Sequence, residues 1–334
     1  MKPQRPFEIL KGVWAVVFIV ILAIAALLLV LVQSERAPRP GDPGPGLTFA
    51  EDPVAGTLTI MDGTIPVLTY RFGDQLPSGL DAKQVRSCYI HPLYSLDGEP
   101  LTADFPADHP HHHGLFWGWP AVSVRGVATQ TWHPAEPSLR QHFGRWIERT
   151  GVRGARLSVE NTWKLGGSET VAEETVGLVV HSASALGRAI DVEIVLRPVG
   201  GPMELRGAAE SDKGYGGLCF RGAPLLKGAV LTTDEAVLAA DSTGRPFRWA
   251  DLSTPSLGVA MFVSPGHPGY PPAWLVRNSY AGILDPCWPG LTGAMIPSDT
   301  SVTLRYRIYI HRGDAIAGRV KEAYEAYLAG WGHL

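Results

Sequence analysis

The stretch Thr303-Leu304-Arg305-Tyr306-Arg307-Ile308-Tyr309-Ile310-His311 sets Leu304, Tyr306, Ile308 and Ile310 on one parity and Arg305 and Arg307 on the other. Side chains alternate between the two faces of a strand, so this pattern predicts a β-strand with one face in a core. Similar β-type runs lie at 155–165, 175–181, 189–196 and 257–263. Nearer the amino terminus, Leu58-Thr59-Ile60-Met61 is followed by Asp62-Gly63 and then by a second run from Thr64 to Phe72, the pattern of a hairpin with a primed turn. Glycine and proline punctuate the intervals. A helical period appears at the end, where Ile316, Val320, Ala323, Tyr324 and Tyr327 recur over 314–328 behind Asp314 as the N-cap. Many strands, turn signals between them and one terminal amphipathic helix predict an all-β chain, a large β-sandwich. The segment 81–150 alternates little and is rich in His, Pro and Trp, which marks a long functional loop region.

The first 46 residues have a different character. Residues 13–32 are apolar and uncharged, twenty in a row, enough to cross a hydrocarbon core of about 30 Å. Lys2, Arg5 and Lys11 precede them against Glu8 alone, so the positive-inside rule puts 1–12 in the cytoplasm. The expected organisation is a cytoplasmic tail (1–12), a single transmembrane anchor (13–33), a Pro/Gly linker (34–46) and an exported periplasmic or extracellular domain (47–334). A cleaved signal peptide is the competing reading. The lipid bilayer is thus an expected partner through 13–33. Net charge is −3, with no polybasic surface, so nucleic acid is not an expected partner. Cys88, Cys219 and Cys287 make no CxxC clip; one disulfide with a free thiol, or three buried thiols, both fit.

The chemistry concentrates at His109-Pro110-His111-His112-His113-Gly114-Leu115-Phe116-Trp117-Gly118-Trp119, which holds four of the eleven histidines within five residues. Neutral imidazole is a common metal ligand and titrates near neutral pH. If extended, this run points His111 and His113 one way and His112 the other. Two imidazoles with a third ligand would suit one divalent ion, zinc or similar. His133, His142, Asp108, Glu173, Glu174 and His267 are the candidate third ligands. Without a metal, the same imidazoles can act as acid and base on a sugar hydroxyl. His91, in Tyr89-Ile90-His91-Pro92-Leu93-Tyr94, is a candidate to join them. Trp117, Trp119 and Trp132 are candidates for a sugar-stacking platform. Alternation sends one of Glu173 and Glu174 inward, and the buried one becomes a candidate base with a raised pKa. Lys213, in the glycine-rich run Asp212-Lys213-Gly214-Tyr215-Gly216-Gly217, and Arg221 beyond it could orient a hydroxyl-rich ligand. HExxH, Walker, GxSxG and GxGxxG motifs are absent from the sequence.

Tyr89-Ile90-His91-Pro92-Leu93, Asp104-Phe105-Pro106 and Asp108-His109-Pro110-His111-His112-His113-Gly114-Leu115 resemble a bacterial family labelled methane oxygenase A-like. Asp212-Lys213, Gly216-Gly217-Leu218-Cys219-Phe220-Arg221 and the closing His311-Arg312-Gly313-Asp314 extend the resemblance over about 55–330. The resemblance favours His111 and His112 over His113, where arginine is expected in relatives. It also implies a galactose-mutarotase-like supersandwich by fold analogy. The leading expectation is therefore a membrane-tethered enzyme acting on a carbohydrate or polyol by hydrolysis, elimination or epimerisation. His111, His112 and Glu174 are its catalytic candidates, with His91, His109, Trp117, Trp119, Lys213 and Arg221 binding substrate. His111 and His112 are also the metal-ligand candidates. The alternatives are a non-catalytic carbohydrate-binding module and a copper- or oxygen-handling protein.

Overall fold

A computed structural model describes residues 46–279 and 282–330. The expected tail, anchor and most of the linker (1–45) lie outside the described residues. Among the described residues no helix is long and apolar enough to cross a membrane.

Two nine-stranded antiparallel sheets make the body of a β-sandwich. One runs, in spatial order, through Leu47–Asp52, Thr57–Asp62, Ile65–Arg71, Tyr89–Leu93, Leu115–Gly118, Gly217–Arg221, Ile283–Cys287, Ala273–Arg277 and Ser242–Pro246. The other runs through Val237–Leu238, Val230–Thr233, Trp249–Ser253, Leu257–Val263, Val302–Arg312, Gly187–Pro198, Glu169–His181, Gly154–Leu165 and Leu139–Thr150. A four-stranded sheet holds Ala294–Ile296, Met203–Arg206, Ala121–Val124 and Val127–Thr129.

The core lies between the two large sheets because period-2 patterning lines up across strands. Leu304, Tyr306, Ile308 and Ile310 share a cluster with Ile190, Val192, Ile194, Val176 and Val159 from their own sheet and with Tyr70, Trp117, Phe220 and Trp274 from the facing one. On the other face of the same strand pair the charges are also in register. Arg305 stands opposite Glu193 and Arg307 opposite Asp191, and each pair closes at 2.6 Å. Directly opposed charges reinforce the register that the apolar face demands. The hairpin at Asp62-Gly63 pairs Asp62 with Ile65, as its turn chemistry requires.

Two local readings change. The segment 81–150 is not uniformly irregular: it ends in the twelve-residue strand Leu139–Thr150. That strand lies at a sheet edge with register shifts at Phe143/Arg145 and Trp146/Glu148, which erase the alternation that would have revealed it. The terminal helix begins at Val320 rather than Asp314. Asp314 caps only a preceding turn, accepting from the Ile316 and Ala317 amides, and Arg319 at φ 53° separates that turn from the helix. Ile316 consequently points to solvent, while Val320, Tyr324 and Tyr327 pack on Trp249 and Phe262.

Candidate functional site

The site lies on the face of the first sheet turned away from the second sheet. Along Tyr89–Leu93 the inward residue is Ile90, leaving Tyr89 and His91 on the other face. Likewise Leu115 and Trp117 point inward and Phe116 outward; Leu218 and Phe220 inward, Cys219 outward. Phe116 and Cys219 are cross-strand partners, so three strands contribute one aromatic floor of Tyr89, Phe116 and Cys219, to which Trp132 and Ile283 add.

The histidine run forms part of an excursion over this floor. Its base is stitched by Ala103 N to Arg221 O (3.0 Å), Gly114 N to Ala103 O (2.7 Å) and Arg221 N to Gly114 O (2.7 Å). A turn closed by His112 N on His109 O (2.9 Å) then folds the imidazoles together, so the run is not the extended one that strand alternation supposes. Gly114 permits this return: its φ is +50°, and a Cβ there would sit 2.3 Å from Ile90 O and 2.8 Å from His91 Cβ. Gly114→Ala is expected to cost about 2–3 kcal/mol through strain and backbone displacement, read as a drop in denaturant midpoint.

The four imidazoles do different things. His113 is buried, and its Nδ1 meets Asp104 Oδ1 at 3.1 Å. Asp104 Oδ2 accepts from the Tyr89 hydroxyl at 2.8 Å, with Arg71 Nε at 3.9 Å. Burial pushes the Asp104 carboxyl up, but the bond from His113 and the charges and hydroxyl around it outweigh that and hold it below its ordinary value. An ionised Asp104 fixes the proton of neutral His113 on Nδ1 and leaves Nε2 as the basic nitrogen. His109 and His112 stack, centroids 4.9 Å apart and 12° from parallel. His111 packs 4.0 Å from His133 and 4.6 Å from His112. His112 Nδ1 is buried with no hydrogen-bond partner. His91 turns aside to Thr102, its Nδ1 3.0 Å from the hydroxyl oxygen. Burial lowers four of these pKa values: His91 and His113 to about 4, His111 to about 3 and His112 to about 2, with crowding by neighbouring imidazoles adding to the last two. His91, His111, His112 and His113 are neutral at physiological pH.

Arg221 reaches the cluster through Asp108, with Nη2 at 3.1 and 2.9 Å from the two carboxylate oxygens. Burial raises Asp108, and its bonds with His109 and Arg221 overcome this and hold it at about 2.

A cavity of about 260 Å³ opens beside the cluster, walled by His111, His113, Trp132, His133, Arg86 and Arg140 among others. Trp132 packs against Tyr215 at 4.8 Å and against Phe116 at 5.0 Å. His111 and His113 both line the cavity and His112 does not, an outcome of the turn rather than of strand alternation.

Other sequence candidates are placed elsewhere. Glu174 does go inward and Glu173 outward, but Glu174 lies in the inter-sheet core rather than on the cavity wall. It accepts from Trp117 Nε1 (2.7 Å), Trp163 Nε1 (2.9 Å) and Asn161 Nδ2 (2.8 Å), and burial raises its pKa against those bonds. Trp117 and Trp119 are fully buried, the latter donating to Trp288 O at 2.8 Å, so neither forms a stacking floor for a ligand. Lys213 pairs with Glu210 at 2.8 Å; its loop reaches the site through Tyr215 instead. Cys88, Cys219 and Cys287 are free and buried. Asp104, Arg86 and Arg140 are site residues whose part the linear pattern did not reveal, because each is recognised only by what it faces.

The metal-ligand candidates His111 and His112 stand edge to face, with ring centroids 4.6 Å apart and 82° between their planes. Among the described residues no three His, Cys, Asp or Glu side chains are placed to hold an ion.

Residues 57–325 match the model of a family described as a family of unknown function (DUF6807). This corrects the methane oxygenase A-like label: the family shown is one without a known function, and nothing found carries the oxygenase name. No curated protein matches. Among solved structures, a heparinase III gene product is similar at 9% identity and a TM-score of 0.35, over 77% of this chain. The chain spans about a third (34%) of that structure's length. A galactose mutarotase related enzyme from Lactobacillus acidophilus is similar at 8% identity and a TM-score of 0.37, covering 80% of this chain and 98% of that one. Neither likeness says what this chain binds or does.

Proposed function

This chain belongs to the DUF6807 family of unknown function, and from the chemistry of its own site we propose an enzyme acting on a carbohydrate or polyol in the cavity beside the histidine cluster. The observation that carries this reading is the His113–Asp104 dyad, backed by Tyr89 and Arg71, at the wall of a cavity that also presents Trp132. Trp132, packed between Phe116 and Tyr215, adds apolar lining to that wall. Neutral His111 and His133 can accept hydroxyl protons, and His113 Nε2 removes or returns a proton at the reacting carbon or hydroxyl. Asp104 holds the tautomer and steadies the imidazolium that forms, the division of labour of a base with its orienting carboxylate. The domain is proposed to stand outside the cytoplasmic membrane on the anchor at 13–33, a placement that cell fractionation of the full chain tests.

His113→Asn keeps a donor for Asp104 and removes the basic nitrogen. With a sugar or polyol found by ligand-induced thermal stabilisation, this variant is expected to lower turnover by about 10²-fold or more with its melting temperature nearly unchanged. Full turnover in His113→Asn would sink the catalytic version.

A second reading is favoured by one specific observation. Imidazoles held at pKa values of about 3 to 4 are weak bases at neutral pH, which suits a non-catalytic carbohydrate-binding module. It predicts saturable binding without turnover, lost in Trp132→Ala and retained in His113→Asn.

A further inference from the structure

Two stretches of chain, within 82–86 and 131–140, supply the cavity wall together with His111 and His113. Burial separates its base from its mouth. Arg86, His113, Thr131, Trp132 and Leu139 are buried and mark the base; Ala82, Lys83, Pro134 and Glu136 are exposed and mark the mouth. The two stretches are tied at both levels. At the base Arg86 Nη1 donates to Thr131 O at 2.6 Å, a charged donor on a buried carbonyl. At the mouth Lys83 Nζ meets Glu136 Oε1 at 3.1 Å, with the two side chains 60% and 72% exposed. The second tie is the weak one, because an exposed ion pair is offset by the entropy of holding two long side chains and is screened by salt. The turn that carries Lys83 is held independently of it: Lys83 N donates to Asp81 Oδ1 at 2.8 Å.

A groove that binds along a glycan must let the chain continue past the site on both sides. Here an ion pair crosses from one stretch to the other at the exposed level, in the path such a chain would take. The cavity volume of about 260 Å³ also falls below the roughly 300–1,000 Å³ of clefts that hold drug-sized ligands. We infer that this cavity receives one sugar ring, or an acyclic polyol of the same size, as a free molecule or as the end of a chain, and that the Lys83–Glu136 pair closes its mouth to the interior of a chain. The inference rests on the proposed carbohydrate site and narrows its substrate class to single or terminal units.

The test is calorimetric titration of the full chain with D-glucose, cellobiose and cellotriose, with D-galactose, galactobiose and galactotriose, and with sorbitol and galactitol. A single-ring or polyol probe is expected to bind, and each further ring to change affinity by less than about three-fold, where a groove would gain about ten-fold or more per ring. Glu136→Gln and Lys83→Gln each break the pair at an exposed side chain, and each is expected to raise the trisaccharide-to-monosaccharide affinity ratio by about three-fold or more. Raising salt from about 20 to about 500 mM is expected to move the unmodified protein the same way and to leave both variants unchanged. A ten-fold gain per ring in the unmodified protein overturns the pocket and leaves the carbohydrate site standing. A ratio indifferent to both variants and to salt overturns the part given to the ion pair, and the inference with it. Binding of none of the probes also removes the inference, and the carbohydrate reading falls with it if the wider sugar and polyol screen is blank.

Discussion

Replacing Glu174 by alanine is expected to cost about 3–5 kcal/mol of folding stability, because it leaves three buried donors facing an empty space. Trp117 Nε1, Trp163 Nε1 and Asn161 Nδ2 all end on this carboxylate, and they come from two strands, one in each of the two facing sheets. Glu174 is 1% exposed, so water cannot take its place without entering the core. Glutamine would restore the volume but offer one acceptor and one NH₂ where three donors converge, and should cost about half as much. Glu174 also acts through space on buried Arg86, whose terminal nitrogens are spent on main-chain carbonyls. Urea unfolding at pH 7 reads the loss directly. A Glu174→Ala protein with a wild-type midpoint and no turnover would return this residue to the chemistry, as its sequence position had implied.

Acid is expected to unfold this protein from about pH 6 downward, well above the range in which carboxylates titrate. His91, His111, His112 and His113 are neutral in the folded state, with pKa values from about 4 to about 2, and return to about 6.5 when the chain unfolds. Below about pH 6.5 the unfolded chain therefore binds more protons than the folded one, and stability rises with pH across the window from about 4 to 6.5. Each imidazole contributes up to about 1.4 kcal/mol per pH unit in that window. His91 and His111 are partly exposed and contribute less, so the slope should correspond to about two to four protons. Asp104 adds to the loss further down, since its lowered pKa means that its stabilisation disappears only as pH falls through the carboxylate range. Replacing His112, the buried ring without a partner at Nδ1, by phenylalanine is expected to remove about one proton from the slope. A urea midpoint that stays level from pH 7 to pH 5 would show that the cluster is protonated, or open, in the folded protein.

The strands were legible where one face of each is buried. Gly187–Pro198 and Val302–Arg312 stand out because hydrophobic burial on one face and charge pairing on the other give the same period. Leu139–Thr150 was not legible, because a bulged edge strand has no such period to show. His111 and His113 do line one cavity, but a turn rather than strand alternation brings them there. The carboxylate partner of the histidine motif was misjudged. Glu174 has the sequence profile of a buried base, yet Asp104, nine residues before His113, is the group that the excursion folds onto the imidazole. Nothing along the chain distinguishes a carboxylate that meets a histidine from one that meets two indoles.

What the sequence by itself determined is therefore the β architecture, the inward and outward faces of its strands and the place of the histidines, since all three follow from local spacing and the burial of apolar side chains. The tertiary structure alone decided which tryptophans are core and which lines the cavity, and which aspartate meets His113. It also decided that Arg86 and Arg140 share a cavity wall, across 54 residues of chain. These are consequences of distance in space between strands that are distant in sequence, and the chemistry of a buried group is set by the partner it reaches there.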